Sequence, residues 1–456
     1  MIDRRQMLKV SAGFGLVSTG LLEGLKLALP AGATTGQLQG HGHGSGLGPL
    51  LPDPAGLLDL PEGFSYKVVT QAGRPLKGQP SGVTPGRPDG TASFPARRGQ
   101  VLLVNNHEQS GSAPFPALAG PELTYDPGAV GGTTTLLVDR NDDLVSEYVS
   151  LAGTFNNCAG GATPWGTWLT CEETEQLATG AFTKNHGYVF EVSPYRPDAN
   201  VDPQPLTALG RFAHEAVIAD PLRGHLYLTE DASAPNGLLY RFTPNRRPNR
   251  RHSLREGGRL EAMSSPGVPD LSVYTELGTT LPVEWKAVPD PSGIPVSVRK
   301  QFADAEVTRS RKFEGLWWGN GRAFIVCSFA RLSDGSAAEH DGQVWSYDPG
   351  RRRLRLEAYF PVNTDPGGAG ADTPDGPDNI TVNPWGGLVI AEDGEGTQHL
   401  VAIVDGEPFL LARNAVSTSE FTGVNFSPDR RTLFANIQDE GYMFAINGPF
   451  SRVRRS

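Results

Sequence analysis

Gly187-Tyr-Val-Phe-Glu-Val-Ser-Pro194 opens on a turn residue, alternates apolar positions around an aromatic, and closes on proline. Period-two alternation bounded by Gly and Pro is the pattern of a β-strand. The same segment returns as Gly237-Leu-Leu-Tyr-Arg-Phe-Thr-Pro244 and Gly342-Gln-Val-Trp-Ser-Tyr-Asp-Pro349. Weaker copies are Gly132-Thr-Thr-Thr-Leu-Leu-Val-Asp139, Gly396-Thr-Gln-His-Leu-Val-Ala-Ile403 and Gly441-Tyr-Met-Phe-Ala-Ile-Asn-Gly448. A second strand precedes each copy, as in Trp168-Leu-Thr-Cys-Glu-Glu173 and Leu388-Val-Ile-Ala-Glu-Asp393. One strand further upstream, a Pro/Gly turn recurs in five units, including Pro164-Trp-Gly166, Asn383-Pro-Trp-Gly386 and Ser427-Pro-Asp429. Six units of three or four strands, roughly 50 residues each, describe an all-β six-bladed β-propeller. One wider gap between blades three and four, about residues 245–310, reads as a Pro- and Arg-rich, loop-rich insertion. Ring closure is expected to pair early residues such as Gly63-Phe-Ser-Tyr-Lys-Val-Val69 with a late blade, because a closed ring leaves no open edge.

Composition agrees. Gly (56) and Pro (38) together make up about a fifth of the 456 residues, well above the usual ~12%. Many turns and few long helices follow. The net charge of −10 makes non-specific nucleic-acid binding a poor expectation and suits hard cations better. Three cysteines, at 158, 171 and 327, are too few for a disulfide scaffold.

The N-terminus reads as an address. Asp3-Arg4-Arg5-Gln6-Met7-Leu8-Lys9 is a twin-arginine pattern, followed by a moderately apolar Gly- and Ser-rich stretch and the small residues Ala31-Gly32-Ala33. Residues 1–33 are therefore expected to be a Tat signal, 34–56 a Gly-rich flexible linker, and 57–456 one propeller domain. Export by the Tat translocase implies a periplasmic or secreted protein, folded before crossing. The apolar run is too short and Gly-rich for stable membrane insertion. The chain is expected to be a monomer.

Potential metal ligands line up with the repeat. Just before each recurrent turn stand Cys158, His214-Glu215, Glu314, Asp378-Asn379 and Glu420. A second set ends the next strand: Asn106, His107 and Glu108; Glu172 and Glu173; Glu230 and Asp231; Glu392 and Asp393. A single carboxylate at a strand end is ordinarily a solvated turn residue. In a propeller the innermost strands line one channel, so this registered set converges on one mouth. Such a cluster would repel strongly without cations. Within these two sets Cys158, Glu173, Glu215, Glu230, Glu314, Asp378, Asn379, Glu392 and Glu420 are candidate metal ligands, with their neighbours Glu172, Asp231 and Asp393 left open. The oxygens suit calcium, and the Cys158 thiolate a transition metal such as iron. Cys158 also fits a buried apolar position, or a disulfide with Cys171; Cys171 and Cys327 read as core. Lys312, Arg241 and Arg211 are the expected catalytic cations for an anionic substrate. Lys312 lies two before Glu314, so on a strand both point the same way.

Longer motifs resemble a known family. Asn157-Cys-Ala-Gly-Gly-Ala-Thr-Pro-Trp-Gly-Thr-Trp-Leu-Thr-Cys-Glu-Glu173 is similar to the signature stretch of the PhoX-type alkaline phosphatases. So are Asn105-Asn-His-Glu108, Gly131-Gly-Thr-Thr-Thr135, Gly210-Arg-Phe-Ala-His-Glu215, Asp375-Gly-Pro-Asp-Asn-Ile380 and Phe421-Thr-Gly-Val-Asn-Phe-Ser-Pro428. The resemblance spans about residues 58–449. It implies a Tat-exported phosphomonoesterase with calcium and ferric iron at the channel mouth. Cys158 then corresponds to the iron-ligating cysteine, with Glu173, Glu215, Glu314, Asp378, Glu392 and Glu420 as iron or calcium ligands. The implied reaction is metal-assisted in-line attack at phosphorus, releasing phosphate from phosphorylated small molecules. Two other readings fit a propeller: a calcium-dependent lactonase or esterase, and a non-catalytic metal-stabilised binding propeller.

Overall fold

The computed structural model describes residues 47–111 and 114–453. The signal segment expected over 1–33 lies outside the described residues. Six antiparallel sheets follow one another along the chain. Blade one holds Pro88–Pro95, Val101–His107, Gly131–Val138 and Leu144–Thr154, from channel to rim. Blade two has three strands, Asn157–Ala162, Trp168–Glu172 and Val189–Val192. The inner strands of blades three to six are His214–Ala219, Phe313–Gly319, Pro377–Val382 and Phe421–Phe426. Ser65–Gln71 closes the ring as the outer strand of blade six, pairing with Tyr442–Asn447. Among the described residues no helix is long and apolar enough to cross a membrane.

Two expectations are corrected. The segment 245–310 is not loop alone. Gly258–Ser264 and Glu284–Ala287 extend blade three, and Thr280–Pro282 pairs with the outer strand of blade four. Arg-rich turns hid these short strands. The Gly-rich linker also ends earlier than residue 56. Leu50–Leu51 pairs with Leu58–Pro61, which joins blade five, and Leu47 is buried.

The core lies between blades. Ile325, Trp345 and Leu356 of blade four meet Ala216, Tyr227 and Leu239 of blade three in one cluster. Val104 and Leu151 of blade one meet Trp168 and Phe190 of blade two in another. Strands such as Leu388–Glu392 are apolar at consecutive positions, so Leu388 and Ile390 pack in one cluster and Val389 and Ala391 in the next. Burying a side chain such as Trp345 or Phe434 contributes about 2–3 kcal/mol.

All six inner strands carry the same irregularity near their first residues. In blade one, Pro88 pairs with His107 and Thr91 with Asn105, so Asp89 and Gly90 together face Asn106. The same two-against-one bulge recurs at Cys158-Ala159, Glu215-Ala216, Glu314-Gly315, Asp378-Asn379 and Gly423-Val424. A bulge bends the strand and re-aims its side chain. Here it sets the first bulge residue of every blade on one ring. The second residue meets the next blade closely. A Cβ on Gly90 would lie 2.6 Å from Ala159 Cα, and one on Gly315 2.6 Å from the Asp378 carbonyl oxygen.

Candidate metal centre

Five of the six bulges supply a ligating side chain: Asp89, Cys158, Glu215, Glu314 and Asp378. The sixth is Gly423, where a Cβ would lie 2.3 Å from Asn436 Nδ2. Blade six contributes Glu420 instead, from the loop just before its inner strand. Residues just past the second strands complete the set, with Glu108, Glu173 and Asp393.

Four overlapping triads result: Asp89, Glu108 and Cys158; Cys158, Glu173 and Glu215; Glu215, Glu314 and Asp378; Asp378, Asp393 and Glu420. Within each, ligand atoms lie within 4.8 Å of one another. Cys158, Glu215 and Asp378 each belong to two triads, so the four form one continuous arc. The Cys158 thiol is 3.1 Å from Glu215 Oε1.

The electrostatics are those of a cation site. Burial, and then the Glu108 charge, push the Asp89 carboxyl up to about 8. Burial and the charges of Asp378 and Glu314 raise Glu215 well above the carboxylate range. Glu420 rises likewise through burial, Asp393 and Asp378. Asp378 rises through burial, Glu314 and Asp89, and the Cys158 thiol through burial, Asp89 and Glu215. Asp89 Oδ1 and Glu215 Oε2 are buried with no hydrogen-bond partner among the described residues. Buried anions gathered without matching donors are stabilised by bound cations. The mixed thiolate and carboxylate triads suit a transition metal, and the all-oxygen ones calcium.

Polar side chains rim the arc. Arg87 pairs with Glu108 at 3.4 Å and Asp439 at 2.6 Å. Lys312 pairs with Glu314 at 2.9 Å. Asn156 Nδ2 donates to Glu108 and Glu173, and Gln438 Nε2 to Asp89 and Glu108. Arg87, Asn156 and Lys312 each stand two residues before a bulge ligand, with φ of 49°, 57° and 54°. Left-handed backbone at non-glycine residues is costly and concentrates where side chains must be aimed.

The expected residues divide. Cys158, Glu173, Glu215, Glu314, Asp378 and Glu420 come together, and Lys312 stands beside them. Asn379 is one step out: its Nδ2 donates to Asp378 Oδ1, and its Oδ1 accepts from the Gly423 amide. Four expectations are corrected. Glu230 accepts from Tyr240 at 2.6 Å and pairs with Arg299 at 3.2 Å. Burial, partly offset by Arg299, sets its carboxyl at about 7. Glu392 accepts from the amides of His399 and Asp375 and meets His399 Nδ1 at 2.9 Å. Both end their strands facing away from the channel, and the next residues, Asp231 and Asp393, face the opposite way. Arg241 pairs with Glu261 at 2.7 Å and lies over the Trp285 ring. Arg211 donates to the carbonyls of Gly293 and Glu175. These two arginines tie outer strands and loops together.

Sequence reasoning missed Asp89, Arg87, Asn156 and Gln438 and left Glu108 and Asp393 unchosen. Asp89 had a signal: Pro88-Asp89-Gly90 matches Pro377-Asp378-Asn379 in position. All three cysteines are free thiols, so Cys158 and Cys171 form no disulfide; Cys171 and Cys327 are buried core residues.

The sequence family described as alkaline phosphatase PhoX matches residues 45–146 and 141–441. No curated protein matches by sequence. Among solved structures, PhoX of Pseudomonas fluorescens in complex with vanadate, a transition-state analogue, is similar at 20% identity and a TM-score of 0.65. The match covers 86% of this chain and 96% of that one. This likeness carries the propeller fold. The PQQ domain of pyranose dehydrogenase from Coprinopsis cinerea is 10% identical, over 87% of this chain and 98% of that one, with a TM-score of 0.45. A gluconolactonase from Xanthomonas campestris is 12% identical, over 88% and 98%, with a TM-score of 0.40.

Proposed function

The chain belongs to the PhoX alkaline phosphatase family and is a phosphatase, and from that premise we propose that it is an exported phosphomonoesterase. In this reading it works on small organic phosphate esters at a calcium and iron centre in the channel mouth. The observation that carries the reading is the continuous arc of four ligand triads, drawn from all six blades. Cys158, Glu173 and Glu215 would hold iron, because theirs is the triad in which a thiolate lies between two carboxylates of separate blades. Glu215, Glu314, Asp378, Asp393 and Glu420 would hold calcium, as would Asp89 with Glu108. When bound, the metals supply Lewis acidity and neutralise charge at the phosphoryl group.

The chain's own residues do the rest. Arg87 and Lys312 offer charged donors at the rim, where phosphoryl oxygens gain charge in the transition state. Their left-handed turns fix both side chains before substrate arrives, so little ordering remains for the reaction. Asn156 and Gln438 orient Glu108, Glu173 and Asp89 through their amide donors. The buried bulges keep bulk water from the ligand face.

The twin-arginine segment supports export to the periplasm, and cell fractionation of an Arg4→Lys/Arg5→Lys variant tests it. The reaction is tested by p-nitrophenyl phosphate hydrolysis at alkaline pH, with calcium and iron supplied, beside a chelated control. The expected result is turnover that vanishes on chelation and falls at least a hundredfold in Cys158→Ser and Glu215→Gln. A folded, metal-loaded protein without turnover would refute it.

A further inference from the structure

An open pocket of about 340 Å³ lies at the pole opposite the mouth. The inner strands of blades five and six run away from the ligand arc for six residues each, roughly 20 Å. They end in the turns Asn383-Pro-Trp385-Gly386 and Ser427-Pro-Asp-Arg430-Arg431, which line the cavity with Asn447 and Phe450. Its chemistry combines one flat ring with two cations. Trp385 is 36% exposed, yet its ring is braced, stacked on Phe450 at 6.4 Å and edge-on to Phe426. Arg430 and Arg431 are exposed, and among the described residues neither guanidinium has an ion-pair partner.

The backbone adds an independent observation. In blades two and five, Gly166 and Gly386 are the turn residues whose amides bond back to the carbonyls of Thr163 and Asn383. Both have left-handed φ, 81° and 103°. The matching residue in blade six is Arg430, whose amide bonds to the Ser427 carbonyl with φ 66°. Glycine takes this conformation without cost, whereas arginine is strained there. A strained residue aimed into a cavity points to a role for its side chain.

We propose that this cavity is a non-catalytic binding site for an anion carrying a flat ring, of the class of a nucleoside monophosphate. The guanidiniums of Arg430 and Arg431 hold the phosphate in charge-assisted hydrogen bonds, and the ring stacks on the braced indole of Trp385. The cavity volume is at the lower end of small-molecule sites, which matches a ligand of this size. The site stands about a strand's length from the metal centre and does not depend on the phosphatase reading.

The test uses the full protein and the methylenephosphonate analogue of adenosine monophosphate, whose carbon–phosphorus bond resists phosphatases. Calorimetry gives affinity and stoichiometry, and inhibition of p-nitrophenyl phosphate hydrolysis reports the mouth separately. Arg430→Gly/Arg431→Gln is the key variant, because glycine relieves the strained turn and folding is retained. The expected result is one binding site fewer than wild type, or an affinity at least tenfold weaker at that site, with an unchanged inhibition constant and a melting temperature no lower. Adenosine alone and methylphosphonate alone each bind at least tenfold more weakly than the joined molecule. Equal stoichiometry and affinity in wild type and variant would overturn the proposal. So would a site on wild type that is absent for the nucleotide analogue but present for phosphatidylglycerol vesicles, which would make this pole a lipid-docking face.

Discussion

Glu392 ends its strand and Asp393 follows it, and the two carboxylates have different surroundings. Glu392 Oε2 accepts from the His399 amide at 2.8 Å and meets His399 Nδ1 at 2.9 Å, and Oε1 accepts from the Asp375 amide at 3.1 Å. In Glu392→Gln the amide oxygen can serve only one of these two places. With the oxygen toward His399, the amide group of glutamine faces the Asp375 N–H, which is left buried and unpaired. Together with two weakened charge-assisted bonds, the cost is about 3 kcal/mol. For roughly 400 ordered residues the unfolding entropy is about 0.85 kcal/mol per degree, so the melting temperature falls by about 3–4 °C. Metal content stays as in wild type. Asp393→Asn does the reverse. It removes a ligand from the triad with Asp378 and Glu420, so metal content and p-nitrophenyl phosphate turnover fall. It also relieves repulsion on Glu420, so the chelated protein melts no lower than wild type. Thermal unfolding with and without chelator, elemental analysis and turnover read both variants. If Glu392→Gln loses metal while Asp393→Asn only lowers the melting temperature, the facing assigned to this strand is refuted.

Other consequences are equally direct. Lys312→Met should raise KM or lower kcat at least tenfold in metal-loaded protein, whereas Arg241→Met should leave both within twofold and only lower stability; equal losses in turnover would contradict the placement of Lys312. Chelation should lower the melting temperature by several degrees at neutral pH and less at pH 5: without metal the folded arc must keep protons that the unfolded chain has lost, a cost that shrinks as pH falls toward the ordinary carboxylate range; an identical drop at both pH values would count against it. His340 is buried, both its ring nitrogens lack partners among the described residues, and burial with the Arg331 charge depresses it to about 4. The unfolded chain takes up this proton first, near 6.5, so the stability conferred by the neutral ring is complete above 6.5. It is lost as pH falls to about 4, amounting to about 3 kcal/mol; a His340→Phe variant with the same acid slope in denaturant titrations would contradict this. Gly90→Ala, whose added methyl meets the Ala159 backbone, should cost about 1–3 kcal/mol and weaken metal binding, as read by unfolding and metal titration together.

Much of this was legible in the sequence because repetition amplifies weak signals. Any one alternating segment, such as Gly132–Asp139, is ambiguous, but six in register specify a propeller and even its closing strand near Ser65–Gln71. Five of the residues that gather before the turns, Cys158, Glu215, Glu314, Asp378 and Glu420, were legible for the same reason. Facing at the strand ends was not. A period of two means that a shift of one residue swaps the channel side for the loop side, so Glu392 and Asp393 cannot be separated without the register. The cations failed for a different reason. Arg241 lies on a strand whose neighbour carries Glu261, and cross-strand pairing absorbs its charge. Arg87 sits in the unit with the weakest turn signal, and only the recurring bulge shows it equivalent in position to Lys312. The strands within 245–310 were masked by arginine and proline, although residues 258–262 pair with 240–244.

The most direct single measurement is the metal content of active, purified protein, determined per chain beside its turnover of p-nitrophenyl phosphate. A centre spread over four linked triads predicts several calcium ions together with iron in every active chain, with the iron lost in Cys158→Ser. One divalent ion per chain, with no iron and undiminished turnover, would contradict it.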